Sequence, residues 1–278
     1  KSPLLNPVCG EKIAIVSNKP QTTRNRITGI YTKGEDQFVF LDTPGIHKPR
    51  TALGDYMVKT ANGSIGEADA ILLVIEPVPS VGEIEAGIIE KIRASKTPAI
   101  LVVNKVDEHT PADIAATIAA YAAAYDFDAV VPISAKSGKG VDALFEEASK
   151  FLYESVWYFP EDAVTDQPER QIAAEIIREK LLRTLNKEIP HGTAVVIEEF
   201  KEEKNIIRIR AEIFCEKASH KGIIVGKNGA ALKLVGTYAR EDLEKFLGTK
   251  VYLNLWVKVK ENWRESAATV GNFGYRDE

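Results

Sequence analysis

Four short apolar runs, at residues 37–41, 70–75, 99–103 and 129–133, each give way at once to polar or turn-forming residues. Uninterrupted runs of that length suit strands buried on both faces, which belong to sheets covered on both sides. Residues 84–93, 111–125 and 141–152 repeat apolar positions at helical spacing. Residues 11 to about 153 therefore predict an α/β domain, a mainly parallel sheet with helices on both faces.

The rhythm breaks at 158–169, where Pro160, Pro168 and four acidic residues read as a linker. A different order follows: a helix at 172–185, strands at 193–199 and 206–214, a helix–turn–helix around Gly226 to Gly229, and a strand at 250–258. This is an α+β module. The expected division is a first domain over 1–157, a linker over 158–169, a second domain over 170–265 and a poorly specified tail over 266–278. A chain of 278 residues is long enough for two cores.

Charge separates the halves further. Residues 170–264 carry 19 Lys and Arg against 13 Asp and Glu, a surplus of six positive charges. The whole chain stands at −4, so the remainder stands at −10. A polyanionic partner is therefore sought in the second half only. Cys9 and Cys215 lie far apart without CxxC spacing, so both are expected to pack rather than to bridge or bind zinc. No apolar run approaches a membrane span and the first residues do not read as a secretory signal, which makes the cytoplasm the expected address.

Three turns at strand ends carry the chemistry. Asn104-Lys105-Val106-Asp107 follows the run 99–103, at the carboxyl edge where such sheets hold ligands. A carboxylate there can accept two hydrogen bonds from guanine N1 and N2, an Asn can meet the base edge, and a Lys stem can cover its face. Adenine lacks the matching donors and is rejected. Asp42-Thr43-Pro44-Gly45 follows the run 37–41. Its Asp can hold the water shell of a magnesium ion, and Gly45 lets backbone approach a γ-phosphate. Ser134-Ala135-Lys136 follows the run 129–133, and its backbone amides can donate to guanine O6. Taken singly, each is also good turn or helix-entry chemistry. Their common order and placement are what point to a nucleotide site.

In the second half, Gly226-Lys227-Asn228-Gly229 separates two apolar helical stretches. The glycines allow a nucleic-acid backbone close, the following helix amides favour phosphate, and Lys227 adds charge. Lys217, Lys221 and Lys233 bracket the turn. Ile223, Ile224, Leu232 and Ile213 are expected to border an apolar groove for bases, whereas Trp256 is expected in the core, since neighbouring alternate positions are apolar.

With these motifs in order, the first half resembles a translation-factor-class GTPase, and Pro20-Gln21-Thr22-Thr23-Arg24 resembles the switch I segment of the Era family. The second half resembles the KH domain of that family in Ile176-Ile177-Arg178-Glu179-Lys180-Leu181, in Pro190 and in Leu255-Trp256-Val257-Lys258-Val259-Lys260. The resemblance implies a P-loop GTPase domain followed by an RNA-binding KH domain. It implies GTP or GDP and Mg2+ as ligands, with K+ assisting some members. Thr23, with Thr22 as competitor, would sense magnesium and the γ-phosphate alongside Asp42 and Gly45. Ile46 stands where Ras-like proteins carry a water-orienting Gln, so hydrolysis is expected to be slow or helped from elsewhere. Implied partners are the 3' end of 16S ribosomal RNA and the 30S subunit, whose assembly such proteins assist, with peripheral contact to the inner face of the membrane as a further option and no role for DNA. A non-enzymatic RNA-binding scaffold is the alternative.

Lys1-Ser2 resembles only the end of a phosphate loop of the form GxxxxGK[ST], in which that Lys would reach the β- and γ-phosphates and that Ser would ligate magnesium. The expectation is a truncated start. Four missing charge-assisted amide bonds would account for on the order of 6 kcal/mol, against about 8 for a whole micromolar affinity, so weak GTP binding is expected. Pro7 is expected to shorten or kink the first helix.

Overall fold

The structure is a computed structural model that describes residues 2–17, 19 and 21–276, with the side chains of Ser2 and Pro3 outside the description. It divides into two compact units. One comprises the residues up to Glu11, Gly29–Asp42 and Lys59–Val164; the other comprises Lys12–Thr28, Thr43–Val58 and the chain from Thr165. The second unit thus takes in two stretches that lie, by sequence, inside the expected first domain.

The first unit opens on α1 (Ser2–Cys9), a helix of eight residues that ends two residues past Pro7. A hairpin follows, β1 (Ile27–Lys33) and β2 (Asp36–Asp42), turning at Gly34. A second sheet, in the order β3 (Ile71–Ile75), β4 (Ala99–Val103) and β5 (Ala129–Pro132), is parallel throughout. Its middle strand explains the uninterrupted apolar run: all five residues of β4 are fully buried, so neither face has room for a polar side chain. Each such Val, Leu or Ile stabilises the fold by roughly 1.5–3 kcal/mol relative to an exposed one.

Helices α3 (Glu83–Ser95) and α4 (Pro111–Ala124) supply Ile89, Ile92 and Tyr121 to the core beside β3 and β4. Thr110 starts α4 with a reciprocal cap, its hydroxyl accepting from the Asp113 amide while Asp113 accepts from the Thr110 amide. From α5 (Val141–Ser149), Phe145 packs on Tyr31 and Phe38 with ring centroids 4.7 and 5.3 Å apart, joining the helix to the hairpin.

In the second unit, β6 (Ala194–Glu203) pairs antiparallel with β7 (Ile206–Cys215), which pairs parallel with β8 (Lys250–Val259) at the sheet edge. One face is covered by α6 (Glu169–Thr184), α7 (Ala218–Val225) and α8 (Ala230–Leu247) around a single apolar core. Residues 266–276 of the expected tail are packed. A 3-10 turn at Trp263–Glu265 and the short helix α9 (Ala267–Asn272) bury Trp263, Val270 and Tyr275 together with Leu53 and Met57, the latter two at the start of α2 (Ala52–Glu67). The stretch from 263 onward lacks helical periodicity, and its anchors Trp263, Val270 and Tyr275 are irregularly spaced. Among the described residues no helix is long and apolar enough to cross a membrane.

Candidate nucleotide site and glycine turn

The carboxyl ends of β3, β4 and β5 are tied into one edge by backbone bonds, from the Asn104 amide to the Ile75 carbonyl, 2.8 Å, and from the Ile133 amide to the Val103 carbonyl, 2.8 Å. Asn104 is nearly buried there, and its Oδ1 accepts from the amides of both Lys105, 2.8 Å, and Ala135, 2.9 Å. One side chain therefore holds two of the motif turns in register although 31 residues separate them. Lys105 sits in the left-handed backbone region, φ 65°, which a non-glycine residue adopts at a cost and which turns the next residues toward Ser134. The Ser134 hydroxyl, followed by a backbone bond and Lys136, holds the Asp107 carboxyl below the ordinary carboxylate range. Asp107 is itself exposed and so is presented to a ligand as an anion.

The Ser134–Lys136 turn is shaped from beneath. Ser134 and Lys139 form an antiparallel bridge, and Gly140, φ 78°, lies where an added Cβ would come within 2.4 Å of the Pro132 carbonyl oxygen. Only glycine fits that close approach. The turn's amides differ in their freedom to meet the expected guanine O6. The Ser134 amide donates to the Lys139 carbonyl and the Ala135 amide to Asn104, so an O6 acceptor reaches Ala135 only by sharing that donor, or else uses the Lys136 amide.

Glu76, at the end of β3, forms an ion pair with Lys105 at 2.5 Å that no sequence motif signals, and it raises the Lys105 pKa. Both side chains are about half exposed, so the pair is easily exchanged for a ligand.

The other residues expected at the nucleotide are distributed differently. Asp42 closes β2 with its side chain nearly buried, at 9 % exposure. Gly45 is exposed, and a Cβ added there meets nothing within 4 Å. Lys1, the side chain of Ser2, and Pro20 lie outside the described residues. Thr23 is nearly buried within the second unit, as is Arg24, whose guanidinium donates to the carbonyls of Thr193, 2.6 Å, and His191, 2.8 Å. Lys19 donates to the carbonyls of Leu182, 2.5 Å, and Leu185, and Arg178 of α6 donates to the Thr22 carbonyl. Thr22 itself donates to the Lys19 carbonyl at 2.6 Å. Of the segment that resembles switch I, Thr22 is thus bonded to α6 and Arg24 to the turn before β6.

Further along α6, Glu179 is fully buried. It accepts from Lys12 at 2.6 Å, Lys180 at 2.9 Å, Arg183 at 2.9 Å and the Val16 amide at 3.0 Å. Lys12 and Lys180 also reach Asp242 of α8, Lys12 at 2.7 Å. Burial alone would raise both carboxyl pKa values, but Lys12 and Lys180 outweigh it, holding Glu179 below the ordinary range and Asp242 at about 2. No motif marks these partners, because they lie 167 and 230 residues apart.

At the glycine turn, Gly226 adopts φ 72°, ψ 176°, Asn228 φ 52° and Gly229 φ 78°, ahead of α8. A Cβ on Gly226 would fall 2.7 Å from Ala231 Cβ and 2.9 Å from its backbone nitrogen, whereas one on Gly229 meets nothing. Gly226→Ala is therefore expected to destabilise the fold by about 3 kcal/mol, through both strain and overlap, and Gly229→Ala by roughly 1 kcal/mol, through strain alone. Urea denaturation of the two variants checks the ordering.

Lys217, Lys221, Lys227, Asn228 and Lys233 are exposed around the turn or partly so, and Ile223 is 52 % exposed. Ile224 and Ile213, expected in the groove, are fully buried in the core. On a helix adjacent residues point apart, so with Ile223 facing outward Ile224 faces the sheet. Leu232 packs half-buried against that core. Trp256 is corrected in the opposite sense: it is 59 % exposed, because Val251, Leu253, Leu255 and Val257 form the inward face of β8.

A parallel-sheet domain with a guanine-type loop set, followed by a helix-covered sheet with a GxxG turn, defines a GTPase joined to a KH domain. Residues 1–105 match the model of a 50S ribosome-binding GTPase family, and residues 188–264 match the KH domain model. The GTPase Era of Clostridioides difficile strain 630 is 51 % identical over 280 residues, covering 100 % of this chain and 94 % of that protein. The GTPase Era of Clostridium kluyveri is 50 % identical over 277 residues, covering 99 % and 94 %. A single-residue variant of Aquifex aeolicus Era bound to GDP·AlF4−, at 39 % identity, superposes with a TM-score of 0.94, covering 99 % of this chain and 94 % of the other. A structure of Era in complex with MgGDPNP and nucleotides 1506–1542 of 16S ribosomal RNA superposes with a TM-score of 0.95 at 40 % identity, with the same coverage. The chain belongs to the Era family of GTPases.

Proposed function

We propose that this chain binds and hydrolyses GTP, binds 16S ribosomal RNA near its 3' end through the KH module, and assists assembly of the small ribosomal subunit. The observation that carries the nucleotide reading is the joint placement of Asn104, Lys105, Asp107 and Ser134–Lys136, with Asn104 bonding across both loops. Asp107 pairs with guanine N1 and N2, and the Lys105 stem lies over the base after releasing Glu76. The solved relatives carrying MgGDPNP and GDP·AlF4− support guanine nucleotide and magnesium as the ligands.

Magnesium supplies charge neutralisation at the β- and γ-phosphates. It usually takes only one or two carboxylates beside phosphate and water, which suits the nearly buried Asp42. Asp42 would hold its water shell, with Ser2 and Thr23 as the further ligands, and Lys1 would meet the phosphates. K+ fits the same reading as an assisting ion, since Ile46 offers no group to orient water. Lys221, Lys227 and Lys233 meet RNA phosphates, Gly226 and Gly229 let the backbone approach, and Asn228 and Ile223 border the bases.

Coupling between nucleotide and RNA follows from how the Thr22–Arg24 segment is held. To meet magnesium and a γ-phosphate, Thr23 must leave bonds organised by Arg178 and Arg24. The Nε of Arg24 and the Nη1 of Arg178 are buried without an acceptor, so the docked arrangement carries a cost that favours its release. Nucleotide therefore shifts the population of an α6 that is bonded to switch I. The test is RNA affinity, with GTP, GDP and no nucleotide, in a chain extended upstream by a complete phosphate loop. Differing affinities are expected, and Arg178→Ala is expected to shrink the difference severalfold. Identical affinities in all three states would refute the coupling.

A further inference from the structure

The sheet of the second unit has two faces, and only one is covered by α6, α7 and α8. Among the described residues the other is covered at one end alone, where Phe214 of β7 stacks on Phe273 at 4.3 Å and packs with Ala194 against Trp263 and Val270. Beyond that end the register sets out three rows across β6, β7 and β8: Val196, Glu212 and Trp256; Glu199, Arg210 and Asn254; and Lys201, Arg208 and Tyr252. Lys258 and Lys250 extend the same face of β8 at its two ends.

Two aromatic rings stand open on this surface, Trp256 at 59 % and Tyr252 at 51 % exposure. They lie four residues apart on one strand, about 13 Å. That spacing suits bases two nucleotides apart on an extended strand. The Arg208 guanidinium lies 5.2 Å from the Tyr252 ring centroid, which fixes the ring as a flat platform. Lys201, Arg208, Arg210 and Lys258 are each about half exposed or more, and their partners Glu203, Glu199 and Glu212 are fewer than the cations. Exposed pairs of this kind contribute little and give way to phosphate.

A protein-docking hot spot would surround its aromatic anchor with an apolar, water-excluding rim. Trp256 instead has Glu212, Asn254 and Lys258 as its neighbours on the face. Isolated aromatic platforms among cations are the chemistry of single-stranded nucleic acid recognition.

We propose that the open outer face of β6–β8 is a second single-stranded RNA site, separate from the Gly226–Gly229 turn, in which Trp256 and Tyr252 each stack a base and Lys201, Arg210 and Lys258 take phosphates. The proposal rests on the reading of the KH module as RNA-binding. Because β8 is the sheet edge, an RNA longer than the turn requires can pass around it from the helical side to this face. Arg208 acts as a positioning residue, holding the Tyr252 ring.

The experiment uses the full chain and two oligouridylates, of about 8 and about 24 nucleotides, the shorter sized to a single stacking module, measured by fluorescence anisotropy. It is joined to photocrosslinking of the longer RNA substituted with 4-thiouridine. Tyr252→Ala with Trp256→Ala is expected to weaken the longer RNA about tenfold or more, a range set by stacking energies of this kind, while changing the shorter one less than about threefold. Tyr252→Phe with Trp256→Phe retains the rings and is expected to restore affinity. Crosslinks are expected in peptide 250–260 of the parent, and to persist in Gly229→Asp, which weakens the turn where an added side chain meets open space.

Unchanged affinity for the longer RNA in the double alanine variant, with no crosslink at 250–260, would overturn the second site while leaving the KH reading intact if Gly229→Asp still loses RNA. That outcome would leave the face to a protein partner. Failure of the parent chain to bind either RNA would overturn both. Circular dichroism melts superimposable on the parent are expected for both double variants, since the substituted rings are outside the core.

Discussion

Asp107→Asn, in a chain extended upstream by a complete phosphate loop, is expected to lose guanine-nucleotide affinity by about a hundredfold or more and to gain affinity for xanthine nucleotides. The carboxylate accepts from both guanine N1 and N2, and an amide offers one oxygen and one donor that N2 repels. Xanthine carries an oxygen at that position, so the new N–H finds an acceptor. Ser134 contributes by holding Asp107 ionised below the ordinary carboxylate range, so guanine preference is expected to persist on acidification until pH falls through that depressed value. Competition of GTP, XTP and ATP against a fluorescent nucleotide measures the switch. An unchanged order of preference would remove Asp107 from the base site.

Glu179→Ala is expected to destabilise the second unit by about 3–5 kcal/mol, a large share of the roughly 5–15 kcal/mol typical of a folded domain. The carboxylate is fully buried, and removing it leaves the nearly buried Lys180 with Asp242 alone, and the Val16 amide without its acceptor. Chemical denaturation followed by a KH-localised fluorophore reads the loss, and a change below about 1 kcal/mol would contradict the network's importance. The pH dependence has a definite sign. Glu179 and Asp242 are depressed in the folded state, so their stabilisation is complete above their ordinary values near 4. It is lost as pH falls, for Asp242 through about 2. The parent is expected to lose stability more steeply below about pH 4 than the alanine variant.

The parts legible in the sequence are those set by local pattern. The fully buried β4 shows as an unbroken apolar run, and the loops after β4 and β5 show as motifs because their chemistry is local. The strand β1 does not stand out because Gly29 breaks its run of strand formers and Lys33 ends it on a charge. The helix α2 spaces Leu53, Met57 and Ala61 correctly but scatters small and polar residues among Tyr56, Val58 and Ile65. Trp256 reads as core from the sequence because a strand with apolar residues on consecutive positions does not reveal which face is inward. Packing against α8 decides it, and packing is not local.

The same holds for the site. Asn104, Asp107 and Ser134 can be read as a guanine set, but the bond from Asn104 to the Ala135 amide depends on β4 and β5 being neighbours. The docking of Lys12 on Glu179, and of Arg178 on Thr22, joins residues more than 150 positions apart. Such contacts have no signature in periodicity, and they are where the proposed coupling between nucleotide and RNA resides.

Equilibrium binding of fluorescent GDP and GTP to the chain extended by a complete phosphate loop, with ATP as competitor, tests the central claim most directly. Saturable binding displaced by unlabelled GTP and GDP but not by ATP at about a hundredfold excess is the predicted result. No binding, or displacement by ATP at the same concentrations as GTP, would contradict it.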